Sequence, residues 1–307
     1  MSFRVSKGLI FSLIAMGFGL GGAFAVGETV VRVTGTEDVN GNFYLRGYRT
    51  RPYRYRGEAL QSYVDRYLAG ETHWIEYNPL LGWVDVTTDD GPDLRQELRG
   101  IQRDTTTYLL EPTEGLLRVV LVGDSYTRGA EVGYQDSWGL ALQERLNSNG
   151  IPAEVLNLGV GGYGMDQAYL RWSGQARALR PDVLVFGFQP ENLKRNVNVL
   201  RPFYTRNVGV FFSKPRFVIE GDSLVLRNVP TLEPREIPAF VDDFWDHPLS
   251  ELEAFRRREY EFVPFWMHSR LLASAEAIWR RKFLHQRDFP DSTFFNVESE
   301  GAELGLE

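Results

Sequence analysis

Three short stretches of the chain hold the residue types that acyl transfer needs. Gly123-Asp124-Ser125-Tyr126-Thr127 offers a hydroxyl nucleophile directly after an apolar run. Gly159-Val160-Gly161-Gly162-Tyr163-Gly164 offers backbone N–H groups with little side-chain cover. Gln189-Pro190-Glu191-Asn192 offers a side-chain amide. A hydroxyl and several donors converging on one point can attack an ester carbonyl and hold the oxyanion that forms. In that chemistry Ser125 is the nucleophile, Gly162 lets its N–H approach the oxyanion, and Asn192 donates a third hydrogen bond. Asp124 is expected to hold the turn and to take no part in the chemistry.

The elements needed to position these stretches are legible around them. Leu117-Arg118-Val119-Val120-Leu121-Val122 is a short β-branched run of the kind that forms a strand buried on both faces. Val155 to Leu158 and Asp182 to Phe188 read as two more strands. Between them, Ser137 to Asn149 places Trp138, Leu142 and Leu146 on one helical face, and Gly150 and Pro152 stop it. A second helix follows Gly164, with Met165, Ala168, Tyr169, Trp172 and Ala176 on one stripe and Pro181 as its break. Strand alternating with helix at this spacing predicts a parallel sheet, whose ligands bind outside the carboxyl ends of the strands. All three chemistry-bearing stretches lie at such ends. A helix starting at Ser125 would add free N–H groups and a favourable dipole beside the nucleophile.

These stretches resemble the blocks of the SGNH, or GDSL-type, hydrolase family. Gly123-Asp124-Ser125-Tyr126-Thr127 is similar to the first block, which carries the serine. Asn157 to Gly164 resembles the second, whose glycine N–H helps to form the oxyanion hole. Phe188-Gln189-Pro190-Glu191-Asn192 resembles a divergent third, with Glu191-Asn192 where the family usually has Asn-Asp, and Asn196 stands nearby as a substitute. The resemblance covers about residues 76–205. It implies a flavodoxin-like three-layer α/β/α fold with a parallel sheet, no cofactor, and activity on esters, often acyl groups on lipids or carbohydrates.

One part of the pattern is missing. The family's last block, Asp-x-x-His, does not occur after Asn192; Asp243 precedes His247 by four positions, one too many, in a stretch that reads as an ordinary loop. His268 and His285 lie in charged, aromatic helical stretches, and His73 comes too early. Sheets of this kind have about five strands, and three are evident. The expectation is that the sheet is incomplete and that the catalytic His and Asp lie beyond residue 307. Gly221-Asp222-Ser223-Leu224 matches the family's letters but sits between Phe217-Val218-Ile219-Glu220 and Ser223 to Leu226, a hairpin pattern, and reads as structural.

Composition narrows the class. The absence of cysteine among 307 residues removes disulfides, a lipid-modified N-terminal cysteine, thiol catalysis and thiolate metal sites together. The four histidines show no metal-ligand spacing. A net charge of −7 argues against nucleic acid as partner, despite the Tyr- and Arg-rich stretch from Tyr44 to Arg56. That stretch is expected to be a solvated loop on the main domain or, less simply, a contact for an anionic glycan or headgroup. Arg195 and Arg201 are read as solvated arginines or as contacts for an anionic substrate. Arg4 and Lys7 precede an uncharged apolar run from Gly8 to Val26, an export pattern of about the length that spans a bilayer. Ala23-Phe24-Ala25 fits a cleavage site, while the apolar residues Val30-Val31 favour a retained anchor.

The resulting expectation has residues 1–27 as signal anchor or signal peptide, 28–110 as an extension packing on the main domain, and 111–307 as the hydrolase-like domain, with a hairpin insertion at 210–230. The tail from Val297 shows no evident structure, and Ser250 to Phe283 reads as one long or two shorter helices. The expected function is an extracytoplasmic serine esterase or deacetylase, membrane-anchored or secreted, acting on an ester-bearing small molecule, lipid or glycan. An O-acyltransferase on a cell-surface polysaccharide and an inactive glycan-binding module stand as alternatives.

Overall fold

Alternating apolar and turn-forming stretches give the chain many short elements, three of them strands of a small parallel sheet. The computed structural model describes residues 7–86, 100–101, 108–205 and 209–283. The chain begins with α1 (Lys7–Thr34), β1 (Thr36–Glu37), β2 (Phe43–Leu45), β3 (Tyr48–Arg49), α2 (Glu58–Leu68), β4 (Ile75–Asn78) and β5 (Gly82–Asp85). The central part holds β6 (Leu117–Gly123), α3 (Ser125–Arg128), α4 (Trp138–Ser148), β7 (Ala153–Asn157), α5 (Met165–Gly174), β8 (Val183–Gly187), α6 (Glu191–Asn196) and α7 (Arg201–Tyr204). The last part holds β9 (Arg216–Glu220), β10 (Ser223–Arg227), α8 (Ile237–Asp242), α9 (Arg258–Glu261) and α10 (Arg270–Phe283). These form two compact units, one from the described residues up to Tyr55 together with those after Arg256, the other from Arg56 to Arg256.

The second unit carries the predicted sheet. Its order is β7-β6-β8, all parallel, with Val119 opposite Val155 on one side and Val183 on the other. The period of two along β6 divides its side chains between two cores. Val120 and Val122 pack with Leu156, Leu158 and Ala168 under α5, while Val119 and Leu121 pack with Leu142 and Leu146 of α4. Helices therefore cover both faces, and the continuous apolar run 119–122 is the signature of that two-sided burial. Among the described residues β8 pairs on one side only, and Val183, Phe186 and Phe188 stand exposed. Ser137 caps α4 by accepting from the Leu140 N–H, as its position before the apolar face predicts. The buried Arg118 of β6 pays its desolvation cost through Glu154 and the carbonyls of Leu109, Leu110, Glu111 and Leu179.

Residues 28–110 do not behave as one extension. Those up to Tyr55 belong with α10, whereas the β4–β5 hairpin belongs with the sheet. In the first unit α1 runs through to Thr34, seven residues beyond the expected segment, because Val30, Val31 and Val33 continue it until Gly35. Gly8–Thr34 is long and apolar enough to cross a membrane. Glu28 near its end accepts hydrogen bonds from Ser269 Oγ at 2.8 Å and from the N–H groups of Arg270 and Leu271 at 3.0 and 2.8 Å, so it caps α10 from outside. The Tyr–Arg stretch is solvated only in part: Arg46, Arg54 and Arg56 are exposed, but Arg49 is not. Arg49 is buried over the Tyr53 ring at 3.8 Å and donates to Asn42 Oδ1 at 2.9 Å.

Candidate active site

Ser125 is the first residue of α3, at the carboxyl end of the central strand. Asp124 caps the helix: its Oδ1 accepts from the Tyr126 N–H at 3.0 Å. Gly129, with φ of 72°, ends the helix after one turn, so free N–H groups matter more here than any dipole. Ser125 is half-buried, and among the described residues neither its hydroxyl nor its N–H has a hydrogen-bond partner. Thr127 anchors the turn from below. It is buried where β6 and β8 end, and a Cβ on Gly123 or Gly187 would collide with its hydroxyl. Trp138 Nε1 bridges the carbonyls of Tyr126 and Thr127 at 3.0 and 2.9 Å, and Asn157 Nδ2 reaches the Thr127 carbonyl at 2.8 Å.

The glycine-rich loop after β7 lies directly against this turn. A Cβ on Gly159 would come within 2.5 Å of the Arg128 nitrogen and 2.9 Å of the Thr127 carbonyl carbon, so only glycine fits. The Val160 N–H donates to the Gly123 carbonyl at 3.1 Å. Trp83 of β5 holds the far side: its Nε1 donates to the Gly161 carbonyl at 3.0 Å, and its own carbonyl accepts from the buried Tyr163 hydroxyl. Burial raises the Tyr163 ionisation well above the ordinary phenol value, so the hydroxyl stays a donor. Gly162 has φ of +83°, a conformation that glycine adopts without strain, and among the described residues its N–H meets no acceptor.

The loop after β8 closes the site through Asp124. Its Oδ2 accepts from Gln189 Nε2 at 3.0 Å, Asn192 Nδ2 at 3.1 Å and Arg195 Nη1 at 2.8 Å. Asn192 Nδ2 and Arg195 Nη1 also donate to the Tyr163 carbonyl, at 3.1 and 3.0 Å. One buried carboxylate thus ties the first and third loops, and two of its partners reach on to the second. Both Asn192 amide protons are taken up in this way, so Asn192 joins the first and second loops to its own. Asn196 Oδ1 accepts from the Met165 N–H at 3.0 Å at the start of α5.

Charges surround the junction. Arg195 and Arg201 are both buried rather than solvated. Burial, then the like charge of Arg195, pushes the Arg201 guanidinium down to about 9, against the pull of Glu191 and Asp124. Asp85 of β5 pairs with Arg128 of α3 at 3.0 Å; burial raises its carboxyl, and the charges of Arg128 and Arg171 oppose the rise. Asp85, Trp138 and Gly187 had no part in the site expected from the sequence. Only Gly187, a glycine closing an apolar strand, carried a local signal.

Among the described residues of the second unit, no histidine is hydrogen-bonded to Ser125. His247 Nδ1 accepts from the Leu249 N–H at 3.2 Å while its ring stands edge-on to Phe240 at 5.0 Å, the loop role expected of it. His73 and His268 are exposed, and His285 lies outside the described residues. Gly221-Asp222 forms the β9–β10 hairpin turn, with Ser223 opposite Glu220. Among the described residues there is no group of three histidine or acidic side chains that could hold a metal.

No family model and no curated protein match this chain. The reading of the site rests on its own geometry.

Proposed function

We propose that the chain carries the nucleophile and oxyanion side of an SGNH-type serine ester hydrolase. The observation behind this is the junction at Asp124: three loops from the carboxyl ends of three parallel strands are tied together, with the Ser125 hydroxyl, its N–H and the Gly162 N–H left without partners among the described residues. In the reaction Ser125 Oγ bonds to the ester carbonyl carbon as its proton passes to a base. The carbonyl oxygen gathers negative charge between the two N–H donors, each typically worth about 3–4 kcal/mol in the transition state. The alkoxide then leaves with a proton, and water or a second hydroxyl takes the acyl group from Ser125. Water gives an esterase or deacetylase; a sugar hydroxyl gives an O-acyltransferase.

The sheet order supports a flavodoxin-like arrangement for this unit. β7-β6-β8 corresponds to 2-1-3 in the doubly wound order 2-1-3-4-5, and Ser125 then lies at the switch point where such folds bind ligands. The apolar exposed residues of β8 suit a strand that is flanked on both sides. For the first unit we favour an uncleaved anchor. Gly8–Thr34 exceeds the ~20 residues that span a bilayer, and Glu28 ties its end to α10. Lys7 before the run favours a cytoplasmic start and a body outside.

Labelling with a fluorophosphonate tests the enzyme reading. The chain is expected to form a covalent adduct that Ser125→Ala abolishes. A label that persists in S125A refutes the assignment of the nucleophile. The lack of a histidine at Ser125 among the described residues favours a second reading, a glycan-binding module without turnover; it predicts saturable glycan binding and no adduct.

A further inference from the structure

We infer that the aromatic turn between α9 and α10, together with Leu272 in the first turn of α10, enters the interfacial layer of the bilayer in which α1 is anchored. The inference rests on the reading of α1 as a retained anchor. Residues 8–27 carry no charge, and a helix of that length, at about 1.5 Å per residue, matches a hydrocarbon core of ~30 Å. Glu28 is the first charge after them and marks the edge of that core. The same carboxylate accepts from Ser269 Oγ at 2.8 Å and from the Arg270 and Leu271 N–H groups at 3.0 and 2.8 Å. A Cβ on Gly27 would meet Leu271 Cδ2 at 3.0 Å. The start of α10 is therefore fixed at the level where α1 leaves the hydrocarbon.

The residues on either side of that fixed point are apolar and uncovered. The Trp266 carbonyl accepts from the Ser269 N–H at 3.2 Å, which ties the turn to the residue that Glu28 holds. Phe265 is 88% exposed, Phe262 64%, Trp266 44% and Leu272 36%. Trp279 and Phe283 follow Leu272 on the same helical face, also exposed, with their rings 6.5 Å apart. The opposite face of α10, with Ala273, Ser274, Ala277 and Arg280, is buried. The helix thus spends its inner face on small residues and turns its large apolar ones outward. Clustered exposure of this kind marks a surface that meets a protein or a membrane.

Two features select the membrane. One is position, since the cluster begins beside the residue at which the span ends. Aromatic rings are enriched at that depth, where an apolar body and a polar tip are both accommodated. The other is the flanking charge. The Arg258 guanidinium lies over the Phe262 ring at 5.9 Å and Lys282 Nζ over the Phe283 ring at 5.5 Å, and both cationic residues are exposed. Long cationic side chains at an interface lay their stems along apolar surface and carry the charge to the headgroup phosphates.

The chain contains no cysteine, so a single introduced cysteine carries a label without background. The test places an environment-sensitive fluorophore at Phe265→Cys in the full chain, reconstituted in phosphatidylcholine vesicles that contain spin-labelled phosphatidylcholine. Gly17→Cys, inside the span, and Val39→Cys, 78% exposed beyond the end of α1, are the references. The label at Phe265 is expected to shift to the blue and to lose fluorescence most to lipid labelled near the headgroup. The Gly17 label should respond most to lipid labelled deep in the acyl chain, and the Val39 label to neither. Leu272→Cys should behave as Phe265→Cys and serves if that variant does not fold. Quenching at Gly17 without quenching at Phe265 and Leu272 overturns the inference and leaves the anchor standing. Quenching at Phe265 without quenching at Gly17 refutes the anchor and leaves a lipid-binding surface. Quenching at none of these positions overturns both. A blue shift at Phe265 that lipid does not quench also overturns the inference, in favour of contact with a second copy of the chain.

Discussion

Removing the Asp124 carboxylate is expected to disassemble the junction at a calculable cost. Asp124 is 1% exposed and accepts from the Tyr126 N–H, Gln189, Asn192 and Arg195. In Asp124→Ala the lost cap costs about 1 kcal/mol. The larger effect is on Arg195, whose side chain is 9% exposed and would keep only the Tyr163 carbonyl at Nη1. Breaking a buried pair by removing one partner costs about 3–5 kcal/mol, which is a large part of the roughly 5–15 kcal/mol that holds a domain folded. Urea unfolding of the full chain in micelles, followed by tryptophan fluorescence, measures this. Asp124→Ala with Arg195→Met removes the stranded charge as well, and should be at least about 2 kcal/mol more stable than additivity of the single variants allows. A cost below about 1 kcal/mol for Asp124→Ala, or strict additivity in the double variant, would refute the claim that this ion pair ties the loops together.

Gly187→Ala should destabilise by about 1–3 kcal/mol through overpacking against Thr127, and adding Thr127→Ala should recover much of it in the same unfolding assay. Asp85 gives a pH signature. Burial raises its carboxyl above the ordinary 3.8, so the folded state holds that proton more tightly, and the resulting stability is present below 3.8 and lost as pH rises through the folded-state value. Asp85→Asn abolishes this slope, so its stability relative to wild type should climb with pH across that window; parallel curves would refute the assignment. Intact-mass analysis of the membrane fraction should find the residues before Ala25 retained, and a mature chain starting at Val26 in the soluble fraction would contradict the anchor.

The strands and helices around the site were legible because each writes its environment into consecutive residues. Val119 to Val122 is apolar at every position since helices cover both faces of β6. Ser137 precedes an apolar helical stripe and caps it, and Gly221-Asp222 between two β-branched runs makes a hairpin despite its resemblance to a serine block. The places of Ser125 and Gly162 were legible for the same reason: a residue directly after a buried strand has a position that local pattern predicts. What the Asn192 amide meets was not legible, because its acceptors, Asp124 and the Tyr163 carbonyl, lie in other loops.

By itself the sequence determined the parallel strands, the loops that end them and the apolar N-terminal helix, all consequences of short-range periodicity. Tertiary structure alone decided which charges are buried and with whom. Arg195 finds Asp124 across 71 positions, Asp85 finds Arg128 across a different layer, and Arg201 is buried against the Gly162 backbone and over the Tyr204 ring. It also decided that the residues before Tyr55 belong with α10. The physical reason is that a charged side chain carries the same local signal whether water or a distant partner solvates it, and only the folded chain settles which.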